Sequence, residues 1–210
     1  MAILLDSASA ADAGRAAALG FVRGATTNPH LIAREGRPAS EAVADLCDLL
    51  PGVVFHQLVG RDRASRAAEA RTMLAVRPGR VGLKIPCTLD NLSLAACLAG
   101  EGHVIGITAV FHPAQVALAC AAGARYVLPY VNRSTRLLGD GPGLVRSMRA
   151  VIDAADAPVE IVAASVKSAD EAVASLLAGA HHLTLPLDVI EAMAEHRLSD
   201  EAVADFERAG

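Results

Sequence analysis

Tryptophan is absent from this 210-residue chain, and aromatic residues make up only 3% of it. A core with so few rings must be filled by Ala, Val, Leu and Ile, which suits short buried strands and alanine-rich helices better than an aromatic-centred sandwich. Lysine is scarce too: of nineteen basic residues, all but Lys84 and Lys167 are arginine. No apolar run approaches the roughly 18 residues that a membrane-spanning helix needs. The opening MAILLD lacks the basic and long apolar regions of an export signal, so the chain reads as cytoplasmic. A formal charge of −4 with scattered arginines supplies no basic stripe, which argues against a nucleic-acid partner. Cys47, Cys87, Cys97 and Cys120 show no CxxC spacing, so buried free thiols are expected rather than disulfides or a metal site. Neither GxGxxG nor the GxxxxGK(S/T) loop occurs, which removes the phosphate-loop signature of nucleotide-binding open sheets.

What is present is a rhythm. With 53% hydrophobic residues and a length that supports one large core, residues 1–210 read as a single domain. Eight short β-rich runs (AILLD, FVRGATT, GVVFHQLV, RVGLKIP, HVIGITAV, ARYVLPYV, VEIVAASV and HHLTLP) alternate with amphipathic stretches such as ASRAAEARTMLAV and GLVRSMRAVIDAA. Eight strand–helix units in some 200 residues point to an α/β fold, a (β/α)8 TIM barrel with a short C-terminal helix. An open doubly wound sheet is the alternative. GDGPG at 139–143 reads as a loop before a helix.

Side-chain alternation then assigns faces. In RVGLKIP, Val81, Leu83 and Ile85 share one face while Gly82 and Lys84 share the other, so Lys84 points into the barrel above a residue with no side chain. The same counting returns polar residues at the last inward positions of other strands: Asp6, Thr26 with Asn28, Gln57, Thr108, Tyr130 and Ser165. Barrels of this kind build their active sites at the C-terminal strand ends, and a polar ring there is costly for a merely structural core.

A lysine in such a mouth loses solvation, which lowers its pKa and frees a neutral amine to attack a carbonyl. Asp6 would pair with the amine or shuttle protons, and the hydroxyls and amides of the ring suit a polyol substrate. An internal Lys–Asp ion pair is the plain structural alternative. Lys167 in AASVKSAD and Arg133 in YVNRS follow the seventh and sixth strands, where with Ser165 they would grip a phosphate. Other residues read as structural. His181 and His182 open the eighth strand at the end away from the site, His56 faces the helices, His112 and Pro113 start a helix, and Asp188 helps start the last long helix.

Seven ordered segments now invite a comparison: LLDSA, GATTNP, KIP, GITAVFHPAQ, PYVNR, AASVKS and LPLDV. Through them the chain resembles the small-subunit transaldolase family end to end, and most closely its fructose-6-phosphate aldolase branch. The resemblance implies a class I aldolase-type barrel without metal or cofactor, in which Lys84 forms a Schiff base with a dihydroxyacetone unit. It implies that Asp6 and Asn28 serve that unit, and that Arg133, Ser165 and Lys167 hold the phosphate. Transaldolases of this family carry Glu in the place of Gln57 and Phe in the place of Tyr130, whereas the aldolase branch carries Gln and Tyr, as here. Tyr130 with Gln57 and Thr108 would place a water that protonates the enamine, giving cleavage of fructose 6-phosphate rather than transfer. The resemblance further implies a homo-oligomer, a decamer or pentamer. His30 after TTNP and the FHP of FHPAQ depart from the family pattern and would reshape the mouth.

Overall fold

The computed structural model describes residues 1–209. Eight parallel strands run in chain order, β1 (Ile3–Asp6), β2 (Val22–Thr26), β3 (Val54–Gln57), β4 (Val81–Pro86), β5 (Ile105–Val110), β6 (Tyr126–Pro129), β7 (Glu160–Ala163) and β8 (His182–Leu185), and β8 pairs with β1 to close the barrel. Around them lie α1 (Ala10–Ala18), α2 (Pro29–Glu35), α3 (Ala39–Leu49), α4 (Arg63–Val76), α5 (Leu89–Gly100), α6 (Pro113–Ala121), α7 (Val131–Leu138), α8 (Gly141–Ala154), α9 (Ala169–Leu177), α10 (Leu187–Ala192) and α11 (Arg197–Ala209). The expected TIM barrel is the observed one, with two helices rather than one after β2 and after β6.

Local chemistry places the helix starts. Ser9, Thr88, Asp140 and Ser168 each accept a backbone N–H of the turn they precede, and Asp62 with Ser65 closes a reciprocal capping box at α4. Ring filling then sorts the apolar residues into two layers. One large cluster, including Leu5, Val81, Leu83, Ile85, Ile107, Ile161 and Leu183, lies between barrel and helices. A smaller one of Leu4, Phe55, Leu128, Val162 and Ala164, with Tyr126 and Tyr130 against it, fills the barrel interior. The room left by Gly82 is taken by Phe55, whose Cε1 would lie 2.7 Å from a Cβ at that position.

Four expectations need correction. Strands end earlier than their hydrophobic runs: β6 stops at Pro129 and β7 at Ala163, so Tyr130 and Ser165 lie just past them, with Tyr130 bridging Ala164. GDGPG is only partly a loop, because α8 begins at Gly141 inside it, capped by Asp140. Asp188 sits in the first turn of the short α10, and the long terminal helix is the separate α11. The four cysteines are free, but only Cys47 is buried; Cys87 and Cys120 are half-buried and Cys97 is exposed on the outer face of α5.

Candidate active site

Lys84 occupies the inner face of β4, level with Gln57 on β3 and Gly106 on β5. Only 3% of it is exposed, and its Nζ donates to the main-chain carbonyl of Thr27 at 2.8 Å. No carboxylate among the described residues comes within 4.0 Å of it, so the simple ion pair is not what holds it. Burial lowers its pKa from 10.5 to about 8, against a smaller upward pull from the Asp6 charge. Asp6 moves the opposite way. Burial raises its carboxyl above the usual carboxylate range, partly offset by Lys84, Lys167 and a hydrogen bond from Thr26. The first shift favours the neutral amine that a nucleophile requires, and the second makes the Asp6 carboxylate a stronger proton acceptor than an exposed one.

Above Lys84 lies a chamber of about 280 Å³. Eight of the ten residues singled out in the sequence line it: Asp6, Asn28, Gln57, Lys84, Tyr130, Arg133, Ser165 and Lys167. Thr26 and Thr108 do not. Both are fully buried beneath it, Thr26 joining Asp6 Oδ1 (3.2 Å) to Thr184 (2.8 Å) and Thr108 donating to the Tyr130 hydroxyl at 3.2 Å. Asn28 spends its Oδ1 on the N–H groups of His30 and Leu31 at the start of α2, so only its amide Nδ2–H₂ faces a ligand. Gln57 is the reverse case: the residue lines the chamber, but its Oε1 is buried and has no hydrogen-bond partner.

At the rim, the Arg133 guanidinium lies over the Tyr130 ring at 4.8 Å, and Phe111 meets the same ring edge-on at 5.9 Å. The FHP segment thus reaches the site through Phe111, while His112 caps α6 with its Nδ1 and faces away. His30 lines both the chamber and an adjoining groove of about 680 Å³ that shares Asp6, Asn28 and Lys167 with it. At the opposite end of the barrel, His182 accepts from the Ala2 N–H and meets Glu160, while on β3, next to Gln57, His56 binds Glu69 on α4. Among the described residues no group of three or more His, Cys, Asp or Glu side chains is arranged to hold a metal ion, and no helix is long and apolar enough to cross a membrane.

Two contributors escaped the sequence reading. The Thr27 carbonyl is a backbone group and leaves no side-chain signal. Thr184 was within reach, since alternation in HHLTLP puts it on the inner face opposite the outward Leu183 and Leu185.

A family model described as Transaldolase/Fructose-6-phosphate aldolase matches residues 3–209. The chain belongs to that family. Relatives named probable transaldolase include one from Caulobacter sp., 37% identical over 206 residues that cover 98% of this chain and 94% of the relative. Others, from Desulforudis audaxviator and Geotalea uraniireducens, are 35% and 34% identical with coverage of 98% of this chain and 95% and 96% of theirs. A solved mandelate oxidase mutant with a monooxide FMN adduct superposes with a TM-score of 0.61 at 15% identity, over 90% of this chain and 64% of that one, a likeness of fold alone. Membership in the transaldolase/fructose-6-phosphate aldolase family makes this barrel an enzyme of the aldolase or transaldolase kind.

Proposed function

We propose that the protein is a Schiff-base aldolase that reversibly cleaves fructose 6-phosphate, or a similar ketose phosphate, to dihydroxyacetone and glyceraldehyde 3-phosphate. The observation that carries this reading is a buried lysine with a pKa near 8 at the floor of a polar chamber. Its neutral amine adds to the C2 carbonyl, and loss of water gives a protonated imine. Asp6 takes the C4 hydroxyl proton as the C3–C4 bond breaks, its electrons pass into the imine to form an enamine, and the aldehyde leaves. A water held by Tyr130 and Gln57, with Thr108 fixing the Tyr130 hydroxyl, passes the proton from Asp6 to C3, and hydrolysis of the resulting imine frees dihydroxyacetone and restores the amine. Asn28 donates to a donor hydroxyl, Thr26 holds Asp6 in place, and Arg133, Ser165 and Lys167 bind the phosphate.

The relatives' names favour a second reading, transfer of the dihydroxyacetone unit to another sugar phosphate by the same lysine. Release of glyceraldehyde 3-phosphate from fructose 6-phosphate, followed without any acceptor, separates them. Sustained turnover is expected. A single burst equal to the number of sites, restarted by erythrose 4-phosphate, would make the protein a transaldolase. Tyr130→Phe should lower free dihydroxyacetone formation more than transfer to an acceptor, and an equal loss of both would remove Tyr130 from the protonation step.

A further inference from the structure

The two rim elements of the proposed phosphate grip belong to different strand ends, and something must fix their spacing. Arg133 is carried on the first turn of α7, whereas Ser165 and Lys167 lie on the loop between β7 and α9. α7 has no side-chain cap. Its first N–H groups are instead taken by that loop, Val131 N–H donating to the Ala164 carbonyl (2.8 Å) and Asn132 N–H to the Ser165 carbonyl (3.1 Å). Ser165 itself sits in the left-handed region at φ 57°, a conformation that costs a side-chain-bearing residue energy and persists only where its surroundings over-determine it.

One carboxylate closes the arrangement. Glu171, on the first turn of α9, accepts from the Asn132 side-chain amide through Oε1 at 2.6 Å and from the Lys167 backbone N–H through Oε2 at 2.7 Å. The same glutamate donates its own N–H to Ser168 Oγ, the α9 cap. The carboxylate therefore bridges the residue next to Arg133 and the peptide of Lys167, and with the Asn132–Ser165 bond it pins the strained segment on both sides. Neither Glu171 nor Asn132 lines the chamber.

We infer that Glu171 and Asn132 form a clasp that sets the distance between Arg133 and the Ser165–Lys167 loop, and so determine how tightly the enzyme holds the anionic end of its substrate without touching it. The inference rests on the assignment of Arg133, Ser165 and Lys167 to the phosphate. Two donors reach one carboxylate, so the chemistry at position 171 matters in a specific way: glutamine keeps a single acceptor oxygen for one donor and serves both only if the Asn132 amide turns over, whereas alanine serves neither.

The test is synthesis from dihydroxyacetone with either glyceraldehyde 3-phosphate or unphosphorylated glyceraldehyde, alongside isothermal titration with inorganic phosphate. For Glu171→Ala the KM for glyceraldehyde 3-phosphate and the Kd for phosphate are expected to rise about tenfold, the size of a lost charge-assisted hydrogen bond. The KM for glyceraldehyde and kcat should stay within about twofold. Glu171→Gln should recover much of the loss, and Asn132→Ala should reproduce Glu171→Ala if that variant fails to fold. Equal losses with both aldehydes, or no loss with either, would overturn the clasp. Borohydride trapping of dihydroxyacetone on the unaltered enzyme tests the Lys84 assignment separately: trapping without phosphate discrimination defeats the clasp alone, and no trapping defeats the proposed chemistry.

Discussion

At the scale of single residues, Lys84 is an expensive side chain to bury. Its folded pKa of about 8 lies below the ordinary 10.5, so the ammonium is penalised by the fold. The penalty is fully present below about pH 8, shrinks as pH rises from there, and is gone above 10.5; in its full range it is on the order of 3 kcal/mol. Lys84→Met should therefore abolish imine trapping yet raise stability at pH 7 by roughly 2 kcal/mol, after about 1 kcal/mol is lost on the unpaired Thr27 carbonyl. Urea titrations at pH 7 and pH 10.5 would read it, and a variant no more stable at pH 7 than at pH 10.5, relative to the unaltered protein, would contradict it. The same pKa governs rate. In the proposed chemistry only the neutral amine attacks, so kcat/KM for the free enzyme should climb through an acid limb centred near pH 8, and a limb near 10 would show Lys84 to be solvated. Alternation along β4 made Lys84 legible in the sequence, because a strand's faces follow from counting. The group that holds it was not: a backbone carbonyl is common to every residue, and no change of the Thr27 side chain removes it. Glu171 was illegible for a different reason, since a glutamate on the first turn of a helix reads as ordinary dipole pairing until its neighbours from other elements are known.

At the scale of elements, the strand interiors are matched in pairs of small and large. Gly82 and Gly106 are the two inner positions beside the lysine row, and a Cβ there would lie 2.7 Å from Phe55 Cε1 and 2.6 Å from Leu128 Cδ1. Gly82→Ala should thus cost about 1–3 kcal/mol by overpacking, and Phe55→Leu in the same chain should return part of it. A double-mutant cycle by thermal unfolding measures the coupling, and additive effects would mean that Phe55 does not hold the glycine's space. The sequence showed the gap above which Lys84 stands, yet not that a ring from the neighbouring strand fills it. Strand existence and order were readable from hydrophobic runs. Their ends were not, because Tyr130 and Ser165 continue an apolar pattern while the backbone has already turned, at Ser165 into a conformation that composition does not announce.

At the scale of the whole molecule, the two ends of the barrel carry different duties. Where the chain closes on itself, the Ala2 N–H donates to His182 Nδ1 at 2.9 Å, His182 meets Glu160 at 3.0 Å, and Glu160 meets Arg125 at 3.0 Å, a chain that ties β1, β8, β7 and the entry to β6. His182→Leu is expected to lower stability by about 1–3 kcal/mol through the orphaned Ala2 N–H and the lost bond to Glu160, which keeps Arg125, with KM and the pH profile unmoved; altered kinetics would refute this division. The closed barrel also has a traffic rule built into it. Leu4, Phe55, Leu128 and Val162 plug the interior below Lys84, so the chamber is closed at the bottom and is reached from the top. Whatever bonds to the lysine lies at the back, and whatever reacts with it stands in the doorway. Under the reaction proposed above, the ketone must enter before the aldehyde in synthesis and the joined sugar must leave as one piece, whereas in cleavage the aldehyde departs first and the ketone last. Order of arrival is thus set by depth.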